Sequence, residues 1–294
     1  MKSVLVLLAL LGGPPATDTL EARLAPLAKA HKGKVAIAVK HLTTGESYSL
    51  LGDEPMPTAS LIKFPLLVEL YLQVLEMKVK LSDMVTYREK DKVPGSGILT
   101  YHFSDGATFA LRDAARLMIA YSDNTATNLV LDRIGIDSTN KRMDSWGLRE
   151  TRINAKVFLG SKTSVNPERS KKYGLGSTTA KEMIVLLEKL YHHKIATPAM
   201  CKEMIEHLKN CQDKDSFPRF LPAGTVVAHK TGSVTGVRTD AGILYLKNGG
   251  PVALCVLTSG NEDKRWAPDN AGNVLCARVA RAVHDYFAKK VEKK

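Results

Sequence analysis

TDAGILYLK (Thr239–Lys247) and VALCVLT (Val252–Thr258) are two apolar runs rich in branched residues, joined by Asn248-Gly249-Gly250. Asn-Gly between such runs is a strong hairpin signal, because both residues tolerate the positive φ a tight turn needs. Val226–Lys230 precedes them as a third strand candidate. The other end of the chain mirrors this pattern. Lys34–Lys40 reads KVAIAVK, and Thr44-Gly45 turns that run into Glu46–Leu50 as a second hairpin. Strand signals concentrated at both ends imply one antiparallel sheet closed from the two termini.

Helical spacing fills the rest. Leu20, Leu24, Leu27 and Ala28 share one face of a predicted helix over Leu20–Ala30. A last helix from Ala271 carries Leu275, Val279, Ala282, Val283 and Tyr286 on one side. Between the ends, residues 60–212 are dominated by helical patterns, such as the stripe Leu111, Ala114, Ala115, Met118 and Ile119. The expected fold class is α/β in the α+β sense, an antiparallel sheet flanked by helices with an all-helical subdomain. The expected division is a sheet part over about 17–59 and 213–294 and a helical part over about 60–212. Together they make one catalytic unit over 17–294, with a site in the crevice between the parts.

Composition narrows the function. With 294 residues, 44% apolar and 24% charged, the chain is globular and long enough for a full core without disulfides or metal. The formal charge of +12 suits anionic partners or surfaces. The basic residues are scattered and not striped with aromatics, which argues against nucleic acid. Val4–Leu11 follows Lys2 and precedes Gly12-Gly13-Pro14-Pro15-Ala16, the pattern of a secretory signal over residues 1–16. It is too short to span a bilayer, so the expectation is export to a periplasmic or extracellular location without stable membrane insertion. Cys201, Cys211, Cys255 and Cys276 make no metal spacing and no disulfide scaffold. Buried free thiols are the ordinary reading, and a Cys255–Cys276 bridge stays open.

Three short elements carry chemistry. Ser60-Leu61-Ile62-Lys63 opens a predicted helix, and its two polar side chains at i and i+3 share a face. A serine at a helix start with an amine beside it suits nucleophilic catalysis if burial lowers the lysine's pKa. Ser122-Asp123-Asn124 sits between two helices, where such a trio alone would read as a cap. Lys230-Thr231-Gly232-Ser233 ends a strand, and Gly232 is expected to let a substrate lie along the edge. Ser138-Thr139-Asn140-Lys141 repeats the first spacing, but no S-D-N follows it, so it is a chance match.

Taken in order, S-x-x-K, S-D-N and K-T-G resemble the signature of class A-type serine β-lactamases, within the penicillin-recognising serine hydrolases. Val93–Leu99 (VPGSGIL), Ser122–Asn128 (SDNTATN), Leu148–Ile153 (LRETRI) and Ser177–Met183 (STTAKEM) extend the resemblance over most of residues 20–290. It implies a β-lactamase/transpeptidase-like fold in which Ser60 attacks the amide carbonyl, Lys63 moves its proton and Ser122 relays a proton to the leaving nitrogen. Asn124 would contact the substrate's side-chain amide, and Lys230 and Thr231 its carboxylate. The backbone N–H groups of Ser60 and Ser233 would form the oxyanion hole. Arg238 is either a further carboxylate partner or a surface arginine. The substrate would be a small-molecule β-lactam or a peptidoglycan peptide, with no cofactor or metal, and the expected state is a monomer.

One segment departs from the family pattern. Thr151–Ser161 reads TRINAKVFLGS, which puts Val157 where a glutamate is usual and Ser161 where an asparagine is usual. Glu168 is the only carboxylate between Arg152 and Ser177, and its basic neighbours favour an exposed position. By the resemblance, acylation can still proceed through Lys63 without that glutamate, and activation of the deacylating water is the step its loss puts in question. A D-alanyl-D-alanine peptidase-like or other amidase or esterase activity, and a β-lactam-acylated sensor without turnover, are the alternatives.

Overall fold

In the computed structural model, residues 18–292 are described; the predicted signal over 1–16 lies outside them. Five strands form one antiparallel sheet: β1 (Lys34–His41), β2 (Ser47–Leu50), β3 (Val226–Val234), β4 (Val237–Leu246) and β5 (Gly250–Ser259). Their order is β2-β1-β5-β4-β3, so β1 pairs with β5 and the two chain ends close the sheet, as the sequence predicts.

The alternation within the strands explains what packs where. Val35, Ile37 and Val39 of β1 and Val252, Leu254 and Val256 of β5 face one way, into a core with helices α1 (Leu20–Ala30) and α7 (Ala271–Glu292). Ala36, Ala38, Ala253 and Cys255 face the other way, into the larger core. Side chains alternate across a strand, so each face is set by every second residue. The small residues fall on the second face, and the central helix lies in the same core.

That helix, α2 (Lys63–Leu75), is buried on every side from Lys63 to Gln73. An apolar sequence without a polar stripe is what such a position requires. Its one buried acid, Glu69, accepts hydrogen bonds from Gln73 at 2.8 Å and Arg142 at 3.0 Å, so the charge is paired. Helices α3 (Leu111–Ala120), α4 (Asn124–Ile134), α5 (Ala180–Tyr191) and α6 (Pro198–Lys209) complete this side. The buried residues of α3 are those of the predicted stripe, Leu111, Ala114, Ala115, Met118 and Ile119.

A second, three-stranded sheet joins Met56–Pro57, Gly176–Thr178 and Arg152–Ile153. It pairs Arg152 with Ser177 and Ile153 with Gly176, pinning both ends of the chain from 154 to 175. The same sheet anchors the entry to the Ser60 turn, where Thr58 N–H donates to Gly176 O at 2.9 Å. Inside the pinned segment lie two short helices, Gly160–Thr163 and Pro167–Tyr173. All four cysteines are buried and free, which settles the Cys255–Cys276 alternative in favour of thiols.

Candidate active site

Ser60 does not open an α-helix. It lies in a 3-10 turn over Ala59–Ile62, and α2 begins at Lys63. Ala59, just before it, has φ of +46°, a conformation that costs a residue with a Cβ. The surroundings hold it there: Thr58 O accepts from Thr239 Oγ1 at 2.9 Å and from Leu61 N at 3.1 Å. A Cβ on Gly232 would collide with the backbone of Thr58 and Leu61. Gly232 is therefore needed for close approach to the serine turn, not to leave room for a substrate, as the sequence suggests.

Lys63 projects from the first turn of α2 and is fully buried. Its Nζ lies 2.7 Å from Ser122 O, 2.8 Å from Asn124 Oδ1 and 3.2 Å from Ser122 Oγ. Burial, reinforced by repulsion from Lys230, holds its pKa well below the ordinary lysine value, with Asp123 opposing. A neutral amine has two N–H donors and one lone pair. The two short contacts use both donors on Ser122 O and Asn124 Oδ1, which leaves the lone pair for a hydroxyl proton. The geometry therefore suits Lys63 as a base.

Ser122 is held by backbone conformation. Its φ of +52° turns both its carbonyl and its hydroxyl toward Lys63. Asp123, buried, accepts from Ala126 N at 2.8 Å as the cap of α4, and from Ile98 N and Leu99 N at 2.7 and 2.9 Å. It thereby staples the Val93–Leu99 segment over the site. Gly97, at φ +126°, leaves no space for a Cβ against Asp123. Ser96, to which the sequence reading gave no role, donates to Ser122 O at 2.7 Å. Asn124 Nδ2 donates to Pro94 O at 2.9 Å while its Oδ1 accepts from Lys63, so its amide is committed to positioning as well as facing the cavity.

Lys230 and Thr231 lie in the middle of β3, the edge strand of the main sheet, which runs past the predicted end at Lys230 to Val234. Lys230 is fully buried and donates to Thr231 O at 2.7 Å. Its pKa is lowered by burial, against the pull of Cys211, Asp213 and Asp240. Ser60, Ser122, Asn124, Lys230, Thr231 and Ser233 all line one cavity of about 820 Å³. Arg238 does not line it. This arginine is 3% exposed and donates to Val234 O, Val237 O and Arg265 O at 2.8 Å each, with its guanidinium 4.9 Å from the Trp266 ring centre. It is thus not a surface arginine, and its contact with the cavity runs through Trp266, which is on the wall.

The opposite wall comes from the pinned segment. Val157 is buried and clamped through its backbone: Asn128 Oδ1 accepts from Val157 N at 2.9 Å and Asn128 Nδ2 donates to Val157 O at 3.0 Å. Phe158, at φ +57° and 63% exposed, follows it on the wall. Glu168 is exposed in the first turn of the Pro167–Tyr173 helix and does not reach the cavity. Asp213 is the one carboxylate among the described lining residues. No cluster that could hold a metal ion occurs among the described residues.

Comparison with known proteins agrees with this geometry. The profile described as "Beta-lactamase enzyme family" matches residues 19–287. A β-lactamase of Bacillus licheniformis is 30% identical over 247 residues, covering 83% of this chain and 76% of its own. Among solved structures, a β-lactamase from Sphaerobacter thermophilus is 28% identical, with a TM-score of 0.80 over 92% of this chain and 97% of its own. PBP-A gives the same identity and TM-score, over 92% and 96%. A PBP-A variant in an acyl-enzyme complex with penicillin G is 30% identical, with a TM-score of 0.78 over 92% and 96%.

Proposed function

Because the chain belongs to the β-lactamase enzyme family, we propose that it opens the β-lactam ring by acyl transfer to Ser60 and releases the product slowly. Ser60 Oγ attacks the lactam carbonyl carbon while Lys63 takes its proton. The ring C–N bond then breaks, and Ser122 passes a proton to the departing nitrogen. This leaves an ester on Ser60 that water must hydrolyse. The backbone N–H groups of Ser60 and Ser233 serve the oxyanion, a contribution of about 3–4 kcal/mol per donor in comparable sites. Lys230 and Thr231 receive the substrate carboxylate. Arg238 acts as a positioning residue through Trp266, and Asn124 holds Lys63 as well as meeting the substrate. No step calls for a cofactor.

The observation that carries the reading is the convergence of the buried Lys63 amine on Ser122 and Asn124, at the edge of the cavity that Ser60 lines. The slow second step rests on Val157. It lines the wall where the family's usual glutamate would stand and has no proton-accepting side chain. Asp213, the remaining carboxylate on the wall, accepts from Asp215 N at 2.9 Å and belongs to the Lys230 side. We further read Val4–Leu11 as an export signal and the protein as a monomer. No helix among the described residues is long and apolar enough to cross a membrane.

The direct check is ring opening of a chromogenic cephalosporin by wild-type protein and by Ser60→Ala. One equivalent should open quickly with wild type, followed by a slower phase, and none with the variant. Ring opening by Ser60→Ala at the wild-type rate overturns the assignment of the nucleophile.

A further inference from the structure

The proposed steps at Ser60 leave Phe158 without a task, although its placement is costly. Its φ of +57° lies in a region that strains any residue with a Cβ. The residue is 63% exposed, so packing in a core does not offset that strain. Its neighbours impose the conformation instead. Asn128 holds both backbone groups of Val157, and Leu159 N donates to Lys156 O at 3.2 Å, closing a turn around Phe158. The product of this arrangement is an aromatic ring on the wall of the cavity that Ser60 lines.

The ring reaches the Val93–Leu99 segment at Gly95, which has φ of +90° and also lines the cavity. The point where a Cβ on Gly95 would stand is 3.2 Å from Phe158 Cε2 and 3.5 Å from Phe158 Cζ. The same point lies 2.7 Å from Asn124 Nδ2. The outer edge of the ring, the Gly95 backbone and the Asn124 amide therefore meet around one spot. A side chain at position 95 would fill that spot, and glycine leaves it to the ring. Ala155 and Val157, just before Phe158 in the chain, add hydrocarbon to the cavity wall. Lys156, between them, is ion-paired with Asp132.

The consequence for specificity rests on the reading of the site as one for β-lactams. With the substrate carboxylate at Lys230 and Thr231 and the lactam carbonyl at Ser60, the side-chain amide meets Asn124. The group carried on that amide then stands beside Asn124, where Phe158 and Gly95 meet. We propose that Phe158 is the specificity-determining residue for this group, and that the protein prefers β-lactams with an aromatic acyl side chain. Two aromatic rings attract through offset or edge-to-face contact, beyond the gain from the area they bury. Because strain and backbone clamps hold Phe158 in place beforehand, little ordering remains to be paid when the substrate arrives.

The test compares acylation by benzylpenicillin with acylation by 6-acetamidopenicillanic acid, which keeps the amide and carries methyl in place of benzyl. Wild type should prefer benzylpenicillin by on the order of tenfold in the second-order acylation rate constant. In Phe158→Ala that preference should largely vanish, while the acetamido compound reacts as it does with wild type. Phe158→Leu, which keeps bulk without the ring, should fall between the two. If neither variant shows a native near-UV spectrum, the preference of wild type decides. Equal rates for the two compounds with wild type, or an unchanged preference in folded Phe158→Ala, would overturn the proposal. So would a parallel fall of both rates in that variant, which would mark Phe158 as a support of the wall. If neither compound acylates wild type, the β-lactam reading itself fails, and the proposal with it.

Discussion

The two walls of the cavity are built on different principles. On the Ser60 side, polar groups converge: buried Lys63 is tied to Ser122 and Asn124 by short hydrogen bonds, buried Lys230 donates to Thr231 O, and Ala59 and Ser122 are held at positive φ. On the facing side, Val157 and Phe158 offer hydrocarbon, and the hydrogen bonds around Val157 involve its backbone. On the proposed mechanism, the first wall forms the bond to Ser60. The second shapes the cavity but brings no base to a water. On that mechanism acylation and deacylation are separable, because different segments supply what each step needs.

The largest expected effect comes from breaking the polar wall. Lys63→Met should lower the acylation rate by about 10²–10⁴-fold, the usual worth of a positioned general base. In wild type, acylation should also fall as pH drops through the lowered pKa of Lys63, since the protonated amine accepts no proton; this acid limb should be absent in Lys63→Met. Stopped-flow acylation across pH checks both.

Next comes an attempt to repair the apolar wall. Val157→Glu should shorten the acyl-enzyme lifetime by on the order of 10²-fold, a general-base contribution, while acylation changes little. An unchanged lifetime would mean that Ser161, in place of the usual asparagine, leaves the new base without an oriented water. Asn128→Ala should then loosen the same wall without touching the other. It removes both clamps on the Val157 backbone and should cost about 1–3 kcal/mol of stability, read from urea unfolding.

The smallest effect concerns His229. Its pKa is about 10 in the fold against 6.5 ordinarily, so its pairing with Asp240 favours the protonated form. That stabilisation is full below pH 6.5 and is lost as pH rises through 10. The difference in Tm between wild type and His229→Gln should shrink over that interval.

Much of this was legible in the sequence, for identifiable reasons. The strands announced themselves because both faces of the sheet are covered, which made β1 and β5 continuous apolar runs ending at clear turns. The buried face of α3 followed from a clean amphipathic stripe. The ordered S-x-x-K, S-D-N and K-T-G elements pointed to one site, the first two at the start of a helix and the third within the edge strand β3. The serine turn was misread as helix, since Ser60-Leu61-Ile62 carries no residue that betrays a 3-10 turn, and the strain falls on an alanine. Gly232 was assigned to substrate clearance because its true neighbour, Thr58, is remote in sequence. Arg238 looked like a ligand or a surface charge, and only packing against Trp266 and three carbonyls shows how it is satisfied. Asp240 gave no local signal at all, because its relation to His229 exists only between the paired strands β3 and β4.

The most direct test of the central claim is a time course of intact mass after mixing wild-type protein with a slight excess of penicillin. The two-wall account predicts rapid gain of one penicillin mass on Ser60 and an adduct that outlasts the acylation phase by orders of magnitude. Free protein and hydrolysed drug reappearing as fast as acylation proceeds would contradict it, and would show that the apolar wall is no obstacle to deacylation.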